Sequence, residues 1–130
     1  MKMREKVLVI MSTYNGKAYI KDQIDSILKQ EGVDVDILIR DDGSTDGTVD
    51  IIKELYPQIK LIEGENLGYR KSFMKALKEA GDYKYYAFSD QDDVWLPKKL
   101  KVGVEELKKH IQVPAFYCSN LIVTDEKLNK

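Results

Sequence analysis

The sequence predicts an α/β fold in which helices cover both faces of a mainly parallel sheet. Short apolar runs of strand length alternate with segments of helical period along the chain. The spacing of this alternation is typical of βαβ units, whose crossovers are right-handed and make neighbouring strands parallel. No internal repeat, low-complexity stretch or linker interrupts the pattern, so residues 1–130 are expected to form a single domain.

Five strands are predicted from apolar runs of four to nine residues. The first is the continuous run "VLVIM" and the second is "DILIR". The remaining runs contain β-branched and aromatic side chains, which favour strands. The five predicted strands are 7–11, 36–40, 59–62, 85–89 and 115–123.

Four helices are predicted between these strands. In the second of them, Val49, Ile52 and Leu55 recur at spacings of three, and Tyr56 followed by Pro57 ends the pattern. The first and third helices also place their apolar residues on one face. The four predicted helices are 19–30, 48–55, 69–79 and 97–109.

The composition is that of an ordinary globular protein. Hydrophobic residues make up 43% and charged residues 33% of the chain, and the formal net charge is -1. Basic residues are mixed with acidic ones, which argues against nucleic acid as a partner. A single cysteine, Cys118, and the absence of a signal-peptide pattern lead us to expect a cytoplasmic protein, while peripheral association with the inner face of a membrane stays open.

Polar loops follow four consecutive predicted strands. In open α/β sheets ligands bind outside the carboxyl ends of the strands, so these four loops are expected to meet at one cleft. For the second and third loops, an ordinary turn with a helix cap remains an alternative interpretation. The four loop sequences are "STYNG", "DDGSTDGT", "EGENLGY" and "SDQDDVW".

The fourth loop contains an unusual concentration of acid. Asp90, Asp92 and Asp93 follow a buried strand directly, and such carboxylates repel one another unless a cation compensates them. Capping a helix needs one carboxylate rather than three. Side chains two residues apart at a strand end share a face, so Asp90 and Asp92 form a hard oxygen site for Mg²⁺ or Mn²⁺, whose remaining ligands would come from a substrate's phosphates.

The spacing or the composition of the sequence argues against other kinds of metal and nucleotide site. An EF-hand beginning at Asp42 would need glutamate at its twelfth position, where the chain has Lys53. No P-loop and no glycine-rich dinucleotide fingerprint follows a strand. One cysteine and one histidine, Cys118 and His110, do not make a zinc site.

The four loops together resemble the N-terminal half of family 2 glycosyltransferases, which have the GT-A fold and use nucleotide-activated sugars. The resemblance covers essentially the whole chain, and the "SDQDDVW" variant is similar to bacterial enzymes of cell-surface polysaccharide synthesis, rhamnosyltransferases among them. The motifs that carry it are "VIMSTYNG", "IRDDGSTDGT", "ENLGYRKSF" and "FSDQDDVWLPKKL".

The resemblance implies a nucleotide site and a metal site. Six residues would contact the nucleotide: Ser12, Tyr14, Asp42, Asn66, Gly68 and Asp90. Among them Ser12 and Tyr14 would line the base pocket, and Asp42 would accept a hydrogen bond from the nucleobase imide. Asp90 would meet the ribose or the metal's shell, and Asp92 would ligate the metal.

Neighbouring residues would take supporting roles under the same resemblance. Asp41 would support the loop that carries Asp42, and Arg70 would contact a phosphate. Asp93 would exchange roles with Asp92 if the alignment moved by one residue.

The implied reaction is transfer of a sugar from a UDP- or dTDP-linked donor with inversion at the anomeric carbon. The acceptor would be a glycan or lipid-linked molecule, bound by a half that lies downstream in family members together with the general base. Only 37 residues follow Asp93, so we expect the chain to be part of a longer transferase and assign no catalytic base.

Two other function classes remain as alternatives. The first is a non-catalytic nucleotide-binding module, because the acceptor half is absent from this chain. The second is a nucleotidyltransferase of related fold, which would ordinarily have a glycine-rich loop with arginine after the first strand. The loop "STYNGKAY" lacks both the arginine and the glycine run.

Overall fold

A six-stranded, mainly parallel sheet organises the chain. The structure, a computed structural model, describes residues 5–90, 94–109, 116–117 and 122–124. The strands are β1 (Glu5–Thr13), β2 (Val33–Asp42), β3 (Lys60–Gly64), β4 (Tyr85–Asp90), β5 (Phe116–Tyr117) and β6 (Ile122–Thr124). The helices are α1 (Ile20–Leu28), α2 (Thr48–Leu55), α3 (Tyr69–Lys78) and α4 (Lys99–Lys109).

The strand order is β3-β2-β1-β4-β6-β5, and the first four of these run parallel to one another. The predicted α/β class with a mainly parallel sheet is therefore confirmed. The predicted bounds of α2 match the structure, whereas β1 and β2 extend beyond their apolar runs at both ends. The extension follows from pairing, because β1 hydrogen-bonds with β2 over nine residues on one side and with β4 on the other.

The prediction of one strand over 115–123 is wrong. Phe116 pairs with Val123 and Tyr117 pairs with Ile122 in antiparallel register, so the apolar run contributes two short strands. β6 also pairs with β4 in antiparallel fashion. The sequence carried a turn signal inside the run, Ser119 followed by Asn120, which the apolar residues on either side obscured.

The core lies on both faces of the sheet. On one face, Val7, Val9 and Met11 of β1 pack with the buried sides of α1, α2 and α4. On the other, Leu8 and Ile10 pack with α3. Because alternate side chains of β1 are buried on opposite faces, its sequence is continuously apolar rather than alternating. No helix in the described part of the chain has the length and apolar character needed to cross a membrane.

Candidate functional site

The carboxyl ends of four strands lie side by side. In the sheet register Asp90 of β4 stands beside Ser12 of β1, Ser12 beside Arg40 of β2, and Arg40 beside Ile62 of β3. Neighbouring strands are about 4.8 Å apart, so these backbones span roughly 15 Å. The four polar loops therefore leave the sheet at one edge, as predicted.

The first and second loops are joined by hydrogen bonds into one unit. Asn15 N donates to Ser44 Oγ at 2.8 Å, and Thr45 N donates to Asn15 Oδ1 at 2.8 Å. Gly16 N donates to Thr48 Oγ1 at 3.0 Å. Asn15 takes a left-handed conformation with φ of 48°, which asparagine tolerates better than most residues. The two loops therefore present a single, well-connected surface.

Two aspartates hold the second loop in shape. Asp41 is buried and accepts hydrogen bonds from Thr13 Oγ1 at 2.7 Å and from the backbone N and hydroxyl of Ser44 at 2.8 and 2.6 Å. Asp46 accepts from Thr48 N at 3.0 Å, and the Thr48 hydroxyl beside it holds the pKa of Asp46 below its usual value. Asp41 thus supports its loop as expected, and Asp46 caps the start of α2.

A buried ion pair lies beneath the loops. Arg40 Nη1 donates to Asp42 Oδ1 at 2.9 Å and to Ser72 Oγ at 2.9 Å. Arg40 Nη2 donates to the carbonyl of Glu65 at 3.1 Å, and Ser12 Oγ donates to Ser72 Oγ at 2.7 Å. The side chains of Arg40 and Asp42 are only 4% and 3% exposed. This network connects β1, β2, α3 and the third loop.

Asp42 also holds the third loop against the second. Its Oδ1 accepts from Leu67 N at 2.8 Å and its Oδ2 accepts from Gly68 N at 3.1 Å. Gly68 has φ of 88° and ψ of 154°, a conformation open essentially to glycine alone. A Cβ on Gly43 would come within 3.0 Å of Asn66 N, so the two loops touch at their backbones.

The expected nucleotide residues divide between a buried floor and an exposed rim. Ser12 and Asp42 are buried. Tyr14 is 47% exposed at the end of β1, and Asn66 and Gly68 are exposed above α3. A ligand at this edge of the sheet would therefore meet the rim residues first and reach the floor between them.

Of the two expected metal residues, only Asp90 is among the described residues. The backbone of Asp90 ends β4 beside Ser12, while Asp92 and Asp93 lie outside the described residues. Among the residues that the structure describes, no cluster of three or more His, Cys, Asp or Glu is arranged to hold a metal. Carboxylate oxygens, such as Asp90 and Asp92 supply, are the ligands that Mg²⁺ and Mn²⁺ take in proteins.

Helix α1 contacts both flanks of the acidic segment 90–93 through polar side chains. Gln23 Nε2 donates to Ser89 Oγ on the β4 side. Ser26 Oγ accepts from Trp95 N at 3.0 Å on the other side. Gln23 Oε1 and Trp95 Nε1 are the two buried side-chain atoms of the described residues without a hydrogen-bond partner. This contact therefore leaves buried polar groups unpaired, at a cost in stability.

Gln30, just past the end of α1, completes the same contact. Its Nε2 donates to the carbonyl of Leu96 at 2.7 Å, and its Oε1 accepts from Leu100 N at 2.9 Å. Leu100 N belongs to the first turn of α4, whose backbone N–H groups have no partner within the helix. Gln30 thus supplies hydrogen-bond partners to the first turn of α4 and to the Leu96 carbonyl that precedes it.

We expect Gln30→Ala to lower the free energy of unfolding by about 1–3 kcal/mol, because it leaves the buried Leu100 N–H and the partly buried Leu96 carbonyl without partners. Trp95 is the only tryptophan of the chain and is 4% exposed, so its fluorescence reports on this contact. Urea unfolding followed by fluorescence measures the loss, and acrylamide quenching should increase. Gln58→Ala, at an exposed glutamine, is the control; equal midpoints for both variants would contradict the role of Gln30.

Sequence reasoning missed Arg40, Ser72, Gln23 and Gln30. Arg40 lies in the predicted strand 36–40, and Ser72 lies in the predicted helix 69–79. Both glutamines lie within the predicted helix 19–30. A usable signal was present for Gln23, since it falls between the apolar residues Ile20, Ile24 and Ile27 on the face that packs against the sheet.

A groove of about 550 Å³ lies at the opposite edge of the sheet. It is lined by the starts of β2 and β3 and by residues that follow α3, including Asp36, Lys60 and Tyr83. The Tyr83 hydroxyl donates to Asp36, and burial together with this hydrogen bond raises the pKa of Tyr83 to about 12. The groove lies at the amino ends of the strands, so it is separate from the strand-end loops.

Comparisons with known proteins agree on one family. The profile described as "Glycosyl transferase family 2" matches residues 8–127. The dTDP-rhamnosyl transferase RfbG of Shigella flexneri is 40% identical over 103 residues, which are 73% of this chain and 36% of that protein.

Solved structures of similar fold include two nucleotide-sugar complexes. S. aureus TarS 1–349 in complex with UDP-GlcNAc has a TM-score of 0.69 and 28% identity, covering 82% of this chain and 32% of that one. The mannosyltransferase PcManGT from Pyrobaculum calidifontis, in complex with GDP-Man and Mn²⁺, has a TM-score of 0.69 and 27% identity, covering 82% and 33%. The chain thus spans about a third of the length of these proteins.

Proposed function

The chain belongs to glycosyltransferase family 2, and from that premise we propose that its strand-end loops bind the nucleoside diphosphate of an activated sugar. The observation that carries this proposal is that four adjacent strands, each followed in the sequence by a polar loop, end at one edge of the sheet, with Ser12, Asp42 and Asp90 at or next to the ends of three of them. The nucleotide-sugar complexes of TarS and PcManGT support it.

The residues of the site would act as follows. Tyr14 would stack on the nucleobase at the rim, with the polar floor of Ser12 below it. Asp42 would accept a hydrogen bond from the base. Asn66 and Gly68 would border the nucleotide on the side of the third loop, and the exposed Arg70 would contact a phosphate.

A divalent ion, Mg²⁺ or Mn²⁺, is part of the proposal, with Asp90 and Asp92 as the residues that would hold it. When bound, such an ion stabilises negative charge on a leaving diphosphate as a Lewis acid. The Mn²⁺ in the PcManGT complex supports this assignment. The carboxylates of this chain would otherwise repel the diphosphate.

For the whole protein we propose inverting transfer of a sugar to a glycan or lipid-linked acceptor in polysaccharide synthesis at the cytoplasmic face of the cell envelope. The donor would be UDP- or dTDP-linked, in line with the dTDP-rhamnosyl and UDP-GlcNAc relatives. Residues 1–130 would form the donor-binding domain. The acceptor hydroxyl would attack the anomeric carbon after losing its proton to a general base supplied outside this chain.

The test is calorimetric titration of the purified protein with UDP and with dTDP, each with and without Mn²⁺. We expect binding of at least one nucleotide that strengthens when Mn²⁺ is present. No binding of either nucleotide under any condition would contradict the proposal. Sugar-nucleotide turnover by the 130-residue chain itself would exclude the alternative of a non-catalytic nucleotide-binding module.

A further inference from the structure

Asp42 has an acceptor position left over. An ionised carboxylate offers about four lone-pair positions, two on each oxygen. Oδ1 accepts from Arg40 Nη1 and Leu67 N, and Oδ2 accepts from Gly68 N. Among the described residues no further donor reaches Oδ2. One acceptor position therefore remains on this buried oxygen.

Arg40 orients Asp42 as a hydrogen-bond acceptor. The guanidinium never loses its proton in proteins, and its Nη1 lies 2.9 Å from Asp42 Oδ1 in a nearly dry environment. All three groups that contact Asp42 are N–H donors, so the carboxylate has no acceptor of its own to donate to. Both oxygens of Asp42 therefore serve as hydrogen-bond acceptors in this network.

We propose that Arg40 is a positioning residue that makes the site selective for nucleobases with an imide N–H, uracil or thymine, over cytosine. This inference rests on the proposed nucleotide function. The N3 atom of uracil and thymine carries a hydrogen, whereas the N3 atom of cytosine carries a lone pair. An acceptor-only Asp42 pairs with the first and repels the second.

The fork of Arg40 has a second effect, on the shape of the site. Nη2 holds the carbonyl of Glu65 at 3.1 Å, and Nη1 holds Ser72 at 2.9 Å. A Cβ on Gly64 would lie 2.2 Å from Nη2, so β3 leaves no room for a side chain beside the guanidinium in this position. The charge of Arg40 would therefore set selectivity, while its fork would set the position of the third loop.

The experiment compares UDP and CDP by calorimetry in the presence of Mn²⁺. In the wild-type protein we expect UDP to bind at least about tenfold more tightly than CDP, the effect of one hydrogen bond to a charged group. Arg40→Gln should bring the ratio of the two affinities close to one, because Asp42 loses the guanidinium that fixes its carboxylate as an acceptor toward the base. Arg40→Lys should weaken the binding of both nucleotides and leave the ratio of their affinities unchanged.

Two further variants serve as a fallback in case of misfolding and as a control. If Arg40→Gln does not fold, the double variant Arg40→Met with Asp42→Asn removes both charges together. The amide of the asparagine can donate to cytosine N3, so the ratio of UDP affinity to CDP affinity should again approach one. Lys75→Gln, at an exposed cation of α3 outside the proposed site, is the control and should leave the ratio of the two affinities at its wild-type value.

The outcomes separate this inference from the proposed function. Equal wild-type affinities for UDP and CDP would overturn the role of Arg40, as would a wild-type ratio in both charge-removing variants. A wild-type protein that binds neither UDP nor dTDP would overturn the proposed function and this inference with it.

Discussion

Replacing Gly64 with alanine is expected to lower the free energy of unfolding by about 3 kcal/mol. This loss is larger than that of a typical surface substitution. The added Cβ would lie 2.2 Å from Arg40 Nη2 and 2.8 Å from its Cζ. The guanidinium would have to move, and its movement would break a buried ion pair with Asp42. Urea unfolding followed by the fluorescence of Trp95 measures the change.

A double-mutant cycle is the control for Gly64. In an Arg40→Met background the same Gly64→Ala change no longer meets a guanidinium, so its cost should shrink to less than about 1 kcal/mol. An equal cost in both backgrounds would show that Gly64 acts through its backbone conformation rather than through Arg40. Glu65→Ala, at an exposed neighbour, should change stability by less than about 0.5 kcal/mol.

Replacing Asp92 with asparagine is expected to reduce the Mn²⁺-dependent affinity for UDP or dTDP by about 100-fold or more, because even residues that only orient metal ligands are worth 10–100-fold. The side chain keeps its size and loses its charge, so the fold should be unaffected. Calorimetric titration of the nucleotide at fixed Mn²⁺ measures the loss. Binding without metal should remain at the weak wild-type level.

Asp93→Asn is the matched control for Asp92, since it removes the same charge one residue away. If Asp92 ligates the metal, Asp93→Asn should cost much less affinity. The reverse order of effects would exchange the two roles. If neither substitution changes the Mn²⁺ dependence, the assignment of this acidic segment as the metal site is wrong.

The elements of the fold were largely predictable because their signals are local. Helix α2 has its apolar spacing, an acidic residue before its first turn and Tyr56-Pro57 at its end, and its bounds were predicted without error. The four polar loops were assigned to one edge because parallel strands place their carboxyl ends together. β5 and β6 were merged, since both lie within one apolar run and pair across only a few residues.

The buried polar contacts of the site could not be predicted in the same way. Arg40 meets Ser72 and Glu65 at separations of 32 and 25 residues, and Gln30 meets Leu96 at a separation of 66. Arginine and glutamine are usually exposed, so their residue types argued for the surface. Their burial depends on partners that only the folded chain brings to them.

The sequence by itself determined the alternation of strands and helices, the four polar loops and the membership of family 2, because apolar period, turn residues and motif order are written in short stretches of chain. Only the tertiary structure decided that Asp42 is paired with Arg40, that Gly64 makes room for the guanidinium, and that α1 holds both flanks of the acidic segment. These contacts join residues from different elements, and their free energy arises from burial and charge neutralisation that exist only after the sheet and helices have packed.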